Sequence, residues 1–274
     1  MKIYSILFSL LLTVSSVSGK EKNYTASTPA DPAVRTFLGI PLTDSIDFIR
    51  WKLKIDDNKY TLECNYGIGK PNTNGFYNGG KKIELTDALK KEKNYYQLYN
   101  DHKILNLIEL NDNLLHLLDE KNNLLVGNGG WSYTLNNMTP TVTDQMNITA
   151  KQTMVKDSIA FEGRTPCGVP GIIAPGKECY KLKWYVVLYA NKDRNAAGNY
   201  KLWGTTWRET GGRKGNWQMF TGSNGRIIYQ LNDENDKPFI YLLKLDEGVL
   251  IFTDAKGNLL VGDLDFSYTL NRTS

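Results

Sequence analysis

The stretch DEKNNLLVGNGGWSYTLN, residues Asp119 to Asn136, decides the fold because it occurs twice. It aligns without gaps with DAKGNLLVGDLDFSYTLN, residues Asp254 to Asn271, at an offset of 135 positions. Of the 18 aligned positions, 12 are identical, which indicates that one structural unit has been duplicated within the chain. We therefore predict two similar domains in tandem.

The repeat can be followed upstream of this stretch. The further matches are Leu107, Leu110 and Leu115 with Leu242, Leu245 and Leu250, Tyr96-Gln97-Leu98 with Tyr229-Gln230-Leu231, Trp51 with Trp184, and Phe37-Leu38-Gly39 and Pro41 with Phe161-Glu162-Gly163 and Pro166. They predict a first domain over residues 35–137 and a second over 157–272. A linker over 138–156, rich in Thr, Asn and Gln, is predicted between them, and residues 20–34 are predicted to be a flexible tail.

Apolar and polar side chains alternate in both halves, which is typical of half-buried antiparallel strands. The segments IRWKLKI (49–55) and LKWYVVL (182–188) show this alternation most clearly. The repeated LLVG and SYTL segments are interpreted as a closing pair of strands, with bends at Gly127 and Gly262. Residues 84–96 are interpreted as a hairpin, because a helix there would have two glycines in the second copy. The predicted fold class is all-β, with two tandem small antiparallel β-barrels.

The N-terminus indicates an extracytoplasmic protein. Residues 1–19 combine one cation, an apolar run and small residues, the arrangement of a cleaved signal peptide. No later apolar run reaches the roughly 20 residues of a membrane-spanning helix, and no cysteine beside the cleavage site is available for a lipid anchor. With 33 Lys and Arg against 29 Asp and Glu, the charge is too balanced to predict a nucleic-acid partner. We expect a soluble monomer in the periplasm or outside the cell.

Three cysteines suggest one disulfide and one free thiol. In an oxidising compartment Cys167 and Cys179 are expected to form a disulfide that closes a short loop. If reduced, the same pair would be a weak candidate for monovalent copper, and no other metal site or cofactor is predicted. Cys64 lies on the apolar face of a strand and is expected to be a buried, inert thiol.

The sequence contains no motif for nucleophilic, metal-dependent or phosphate chemistry, so we expect a protein that is not an enzyme. His102 and His116 are assigned structural or solvent-exposed roles. The aromatic residues Trp51, Trp184, Tyr60 and Tyr200 recur at corresponding positions of the two copies and are predicted to face the barrel interiors.

A group of tryptophans in the second copy has no tryptophan at comparable places in the first. Trp203, Trp207 and Trp217 are interspersed with the cations Arg208, Arg213 and Lys214. They are candidates for a surface that binds a ligand or a partner. Packing in the core or at the barrel rim is the competing interpretation.

The second copy also carries a series of motifs in a recognisable order. These are Phe161-Glu162-Gly163-Arg164-Thr165-Pro166-Cys167, Gly171-Ile172, Tyr200-x-Leu202, Gly215-Asn216-Trp217 and LIFTDAKGNLLVG. In this order they resemble the N-terminal domain of the NlpE copper-resistance and envelope-stress lipoproteins. The match covers most of residues 157–262 and, more weakly, residues 37–127. The second cysteine of the family's Cys-x-x-Cys motif is absent here, as is the lipid-anchor cysteine.

The resemblance implies a small lipocalin-like β-barrel in the bacterial envelope, with a role in copper homeostasis or in envelope-stress sensing. The expected function is therefore non-catalytic binding or sensing, with an unidentified envelope protein or a small apolar ligand as partner. The alternative is a lipocalin-like carrier that encloses a small apolar ligand in one barrel, most plausibly the second.

Overall fold

Two closed β-barrels, each of eight antiparallel strands, make up the described part of the chain. The computed structural model describes residues 21–143, 147, 157–191, 198–222 and 225–273. The predicted fold class and the internal duplication are confirmed. The predicted signal peptide, residues 1–19, lies outside the described residues. Among the residues that are described, no helix has the length and apolar character needed to span a bilayer.

The first barrel follows chain order around its circumference. Its strands are β1 (Lys22–Thr28), β2 (Phe48–Asp56), β3 (Lys59–Gly67), β4 (Lys81–Glu92), β5 (Tyr95–Asn100), β6 (Lys103–Asn111), β7 (Leu114–Leu117) and β8 (Thr134–Asn137). Each strand pairs with the next, and β1 pairs with β8 to close the barrel. A 3-10 turn, Tyr77–Gly79, precedes β4. The hairpin predicted over residues 84–96 is confirmed, because β4 and β5 pair directly.

The second barrel has the same order. Its strands are β9 (Ser158–Thr165), β10 (Leu182–Tyr189), β11 (Gly198–Gly204), β12 (Arg213–Thr221), β13 (Ile227–Asn232), β14 (Pro238–Lys244), β15 (Val249–Thr253) and β16 (Thr269–Arg272). The pairing of β16 with β9 closes this barrel. Both barrels are thus continuous meanders that leave no free sheet edge at the point of closure.

The flexible tail predicted over residues 20–34 is wrong, because β1 is an integral strand of the first barrel. All seven residues of β1 pair with β2, and Tyr24 is fully buried. The alternation of β1 is weak in the sequence because its outward side is covered as well. Thr25 and Ser27 on that side are buried, and the Ser27 hydroxyl donates to the carbonyl of Leu264 in the second barrel, 3.4 Å away.

The proposed match of Phe37-Leu38-Gly39 with Phe161-Glu162-Gly163 is also wrong. The indole Nε1 of Trp51 donates to the Thr28 hydroxyl, and that of Trp184 donates to the Thr165 hydroxyl, each at 2.8 Å. The counterpart of β9 is therefore β1, and a proline follows the threonine in both copies.

One short helix, α1 (Pro32–Leu38), follows β1 and was not predicted. Its signals are local: Asp31 caps the N-terminus by accepting from the Ala33 N–H at 2.8 Å, and Gly39 ends the helix in the left-handed region. The apolar side of α1, with Val34 and Phe37, packs into the core of the first barrel.

The corresponding end of the second barrel is covered by a loop that the predicted disulfide closes. Cys167 and Cys179 are bonded, which confirms this prediction. Val169 and Ile172 of the loop are buried in the core of the second barrel. Tyr268 holds the start of the loop by accepting from the Gly168 N–H at 3.1 Å.

The barrels pack against each other through a third apolar core. Its buried members are Ile108, Leu110, Leu114 and Leu118 from the first barrel and Leu243, Leu245, Val249 and Ile251 from the second. Ile108 and Leu243 are related by the repeat offset of 135, as are Leu110 and Leu245. Equivalent surfaces of the two copies therefore meet, as they do across the twofold axis of a homodimer.

Polar pairs at the centre of this interface obey the same relation. The hydroxyl oxygens of Ser132 and Ser267 are 2.5 Å apart, and the Thr269 hydroxyl donates to that of Thr134 at 3.0 Å. In both pairs the partners are 135 residues apart. Each of these side chains thus contacts the equivalent side chain of the other barrel, which places a pseudo-twofold axis between the two.

The repeated LLVG segments are not regular strands, which corrects that part of the prediction. The bridges Leu118–Leu124 and Thr253–Leu259 are isolated. Further along, the Gly127 N–H donates to Asn271 at 2.7 Å, and the Gly262 N–H donates to Asn136 at 2.8 Å. These amides bond to the opposite barrel rather than to a neighbouring strand, so the segments cross the interface instead of extending a sheet.

The described part of the predicted linker lies along the first barrel. The Asn113 amide donates to the Thr141 carbonyl at 2.6 Å, and the Thr141 N–H donates back at 2.8 Å. The Asn147 N–H donates to the Leu110 carbonyl at 2.9 Å. Residues 144–146 and 148–156 lie outside the described residues.

Candidate functional site

Large aromatic side chains fill the interiors of both barrels. Trp51, Tyr60, Trp184 and Tyr200, predicted to face inward, are buried in the two cores. The Tyr60 hydroxyl donates to the Tyr99 carbonyl at 2.5 Å, and the Tyr200 hydroxyl donates to the Asn232 carbonyl at 2.8 Å. These anchors therefore occupy matching positions in the two interiors.

A cavity of about 1050 Å³ lies beside β11 and β12 of the second barrel. Its lining is formed by those two strands, by the loop that joins them, by the last residue of β10 and by one residue after β13. The lining residues are Tyr189, Asn199, Tyr200, Lys201, Trp207, Thr210, Gly212, Arg213, Lys214, Gly215, Asn216 and Glu234. The cavity therefore combines aromatic surface with amide groups and cations.

Trp207, in the loop between β11 and β12, is the largest side chain of the lining. Its ring lies 6.0 Å from the Trp184 ring and meets Phe239 edge-on at 6.5 Å. The Trp207 carbonyl accepts from the Gly212 N–H at 3.0 Å and from the Thr210 hydroxyl at 3.2 Å. These contacts hold the loop backbone in place and so fix the position of the indole.

Cations predominate among the charged groups of the lining. Lys201 and Lys214 are direct partners in the β11–β12 ladder. Arg213 lies over the Phe239 ring, 4.3 Å from its centre, and pairs with Asp233 at 3.7 Å. Glu234 is the one acidic side chain among the described lining residues. The cavity wall thus carries an excess of positive charge.

The residues predicted as a ligand or partner surface do not form one site. Trp207 and Arg213 line the cavity, whereas Trp203 lies outside it and packs on the exposed ring of Tyr185, 5.7 Å away. Arg208 is exposed and is not part of the lining.

Trp217 belongs to the core of the second barrel, which corrects its assignment to a surface. It is 1% exposed, and its Nε1 donates to the Tyr189 carbonyl at 2.9 Å. Trp217 pairs with Leu231 just as Leu89 pairs with Leu98 in the first barrel. Trp217 therefore takes the place of an inward-facing leucine, and its indole packs in the core of the second barrel.

Lys214 was noted among the cations between the tryptophans, whereas Lys201 and Tyr189 were not predicted as site residues. Alternation along β11 does indicate that Lys201 points outward. Alternation does not show which residue of β12 lies opposite Lys201, because that depends on the register between β11 and β12.

The cysteine and histidine side chains that the structure describes do not line the cavity. Cys64 is buried, and burial raises the pKa of its thiol well above the usual value, so the thiol stays protonated. Burial lowers the pKa of His116 to about 4, and His102 is exposed in a turn. Within the described ranges, no three His, Cys, Asp or Glu side chains are grouped as a metal site would require.

Known proteins provide no further guide to the site. Comparison of the chain with models of protein families, with curated proteins and with solved structures finds no match. The fold, the cavity and the sequence motifs quoted above are therefore the basis for a functional proposal.

Proposed function

We propose that the protein is a non-catalytic binding protein of the bacterial envelope, whose second barrel binds a small molecule beside β11 and β12. The observation that carries this proposal is the cavity lined by Trp207. Its volume of about 1050 Å³ is at the upper end of the range of small-molecule sites, which typically combine aromatic walls with a few polar groups.

The chemistry of the lining is that of a binding site. Lysine, arginine, asparagine and aromatic side chains recognise charge, hydrogen-bonding groups and flat apolar surfaces. Cys64 and His116, which have the chemistry of a nucleophile and a base, are buried in the first barrel and at the interface, away from the cavity.

The location in the envelope is supported by two features. Residues 1–19 have the pattern of a signal peptide, and the Cys167–Cys179 disulfide suits an oxidising compartment. A role of NlpE type, in sensing envelope stress or copper, belongs to this proposal and rests on the resemblance of residues 157–262. Occupancy of the cavity would then be the signal that is sensed.

Packing disfavours the alternative of a carrier that encloses its ligand within a barrel. Trp184, Tyr200 and Trp217 occupy the interior of the second barrel and are each at most 4% exposed. A ligand placed there would have to displace close-packed aromatic rings. The proposed ligand therefore binds beside the barrel wall rather than inside it.

Titration with the neutral fluorescent probe N-phenyl-1-naphthylamine tests the proposal. The wild-type chain is expected to bind the probe, and Trp207→Ala to weaken binding by about tenfold, because the largest aromatic side chain of the lining is removed. Trp203→Ala is the matched control: it removes an indole from the same barrel outside the cavity. Unchanged affinity in Trp207→Ala, with the unfolding midpoint preserved, would overturn the proposal.

A further inference from the structure

We infer that the cavity of the second barrel selects an anionic ligand with a flat apolar body, and that Lys201 and Lys214 bind its carboxylate, sulfonate or phosphate group. This inference deepens the proposed function and rests on it. It names the class of ligand that the same cavity would take.

The first argument is the arrangement of the two lysines. Lys201 and Lys214 face each other directly across the β11–β12 ladder. Like charges at opposed positions of an antiparallel pair are destabilising. Neither ammonium group forms an ion pair with any residue that the structure describes. An anion bound between them would relieve the repulsion and gain charge-assisted hydrogen bonds.

The first barrel shows that the fold does not require lysines at these positions. Tyr60 corresponds to Tyr200, so the residue after it, Thr61, corresponds to Lys201. Thr61 pairs with Thr86, and their hydroxyl oxygens are 3.4 Å apart in a hydrogen bond. A favourable threonine pair in one copy is thus replaced by a repulsive lysine pair in the other, beside the cavity.

The nearest acidic groups are engaged elsewhere or too few to neutralise the site. Asp233 pairs with Arg213 and also accepts from the backbone N–H groups of Asn235 and Lys237, at 2.9 and 2.8 Å. These hydrogen bonds, with the nearby cations, lower the pKa of Asp233. Asp233 thus offsets Arg213, and Glu234 remains against Lys201 and Lys214, so the described site keeps an excess of one positive charge.

The apolar body of the ligand is indicated by the aromatic part of the lining. Trp207 is partly exposed and is held in place by contacts with Trp184 and Phe239. Tyr189 lies on the same side as the lysine pair, with the Lys201 Nζ 5.8 Å from its ring centre. The lining therefore offers aromatic rings to a flat apolar ligand, with the Tyr189 ring beside the lysine pair that would bind its anionic group.

Two fluorescent probes with the same aromatic body test this inference. 8-Anilinonaphthalene-1-sulfonate differs from N-phenyl-1-naphthylamine only by its sulfonate group. At low ionic strength we expect the wild-type chain to bind the sulfonate probe at least about tenfold more tightly than the neutral one, as expected for hydrogen bonds to a charged group. This preference should decrease as salt is added, since salt screens exposed charges.

The variant Lys201→Thr/Lys214→Thr, which copies the threonine pair of the first barrel, should lose the preference and retain affinity for the neutral probe. A matched double variant, Arg208→Gln/Lys256→Gln, removes two exposed cations of the same barrel outside the cavity. This variant should keep the preference for the sulfonate probe. Urea unfolding of each variant checks that the barrel is intact.

The possible results separate the two proposals. If both probes bind equally and Trp207→Ala weakens both, the anion inference is wrong and the proposed binding function stands. If the sulfonate preference survives in the double threonine variant, the lysine pair is not the anion site. If neither probe responds to Trp207→Ala, the binding function is wrong, and the inference about ligand class fails with it.

Discussion

His116 lies in the interface between the barrels at the position that Ile251 holds in the other copy. It pairs with Ile108 as Ile251 pairs with Leu243. Its Nε2 is 2.9 Å from the Leu125 carbonyl, and its Nδ1 is 2.8 Å from the Thr134 hydroxyl. A carbonyl can only accept, so Nε2 carries the proton and Nδ1 accepts from Thr134. The neutral ring thus satisfies both nitrogens without water.

The buried imidazole predicts a pH dependence of stability. Burial lowers the pKa of His116 from 6.5 to about 4, so between these values the unfolded chain binds more protons than the folded one. The free energy of unfolding should therefore fall as the pH is lowered through this window, by about 3 kcal/mol in total from this group. Urea unfolding at pH 7 and pH 4.5 measures the change.

The variant His116→Ile, which copies Ile251, provides the control for this prediction. This variant should lack the contribution of His116 to the pH dependence. The free energy of unfolding of the wild type minus that of the variant should therefore decrease as the pH is lowered. Parallel pH profiles for the two proteins would show that His116 does not titrate in this way.

Strand β1 is the element on which closure of the first barrel depends. It pairs with β2 on one side and with β8 on the other. Its buried side contributes Tyr24 and Ala26 to the core. Removal of β1 would expose this core and leave the backbone groups of β2 and β8 without partners, the situation that a closed barrel avoids.

A chain that begins at Arg35, where the first domain was predicted to start, is therefore expected not to form a closed first barrel. Loss of near-UV circular dichroism and a lowered melting temperature would record this, relative to a chain that begins at Glu21. The penalty should exceed several kcal/mol, because a whole strand and its buried side chains are removed. Equal melting temperatures for the two chains would mean that residues 21–34 are dispensable.

At the scale of the whole molecule, the barrels behave as two halves of an internal dimer. The apolar core between them is bordered by reciprocal hydrogen bonds, Gly127 to Asn271 and Gly262 to Asn136. A methyl group on either glycine would lie about 2 Å from a carbonyl oxygen of its own segment, at 2.2 Å for Gly127 and 2.1 Å for Gly262. The repeated glycines thus permit close approach, rather than only the bends that were predicted.

This interface predicts that the wild-type protein unfolds in one step. Leu110→Asp places a charge in the interfacial core, which should weaken the contact between barrels by at least about 3 kcal/mol and split the urea transition in two. Tryptophan fluorescence, to which Trp184, Trp203, Trp207 and Trp217 of the second barrel contribute, should then no longer coincide with far-UV circular dichroism. Val142→Asp, at a fully exposed position, should leave a single transition. Coincident transitions in Leu110→Asp would contradict this coupling.

The sequence by itself determined the features that depend on local pattern. Alternation identified the strands around Trp51 and Trp184, the repeat at 119–136 and 254–271 identified two equal units, and cysteine spacing identified the disulfide. It did not identify β1, because the outward positions of this strand carry small side chains, Thr25 and Ser27, which contrast little with the inward Ala26. Trp217 could not be distinguished from Trp207 either, because the sequence did not show that Trp217 lies on a strand and faces the core while Trp207 lies in a loop.

Only the tertiary structure decided how distant segments meet. Register between β11 and β12 places Lys201 opposite Lys214, and barrel packing brings His116 and the repeated glycines into one interface. These contacts join residues that are far apart in the chain, and their geometry follows from strand pairing and close packing rather than from neighbouring residues. The duplication could therefore be recognised in the sequence, whereas the cavity that distinguishes the second copy from the first could not.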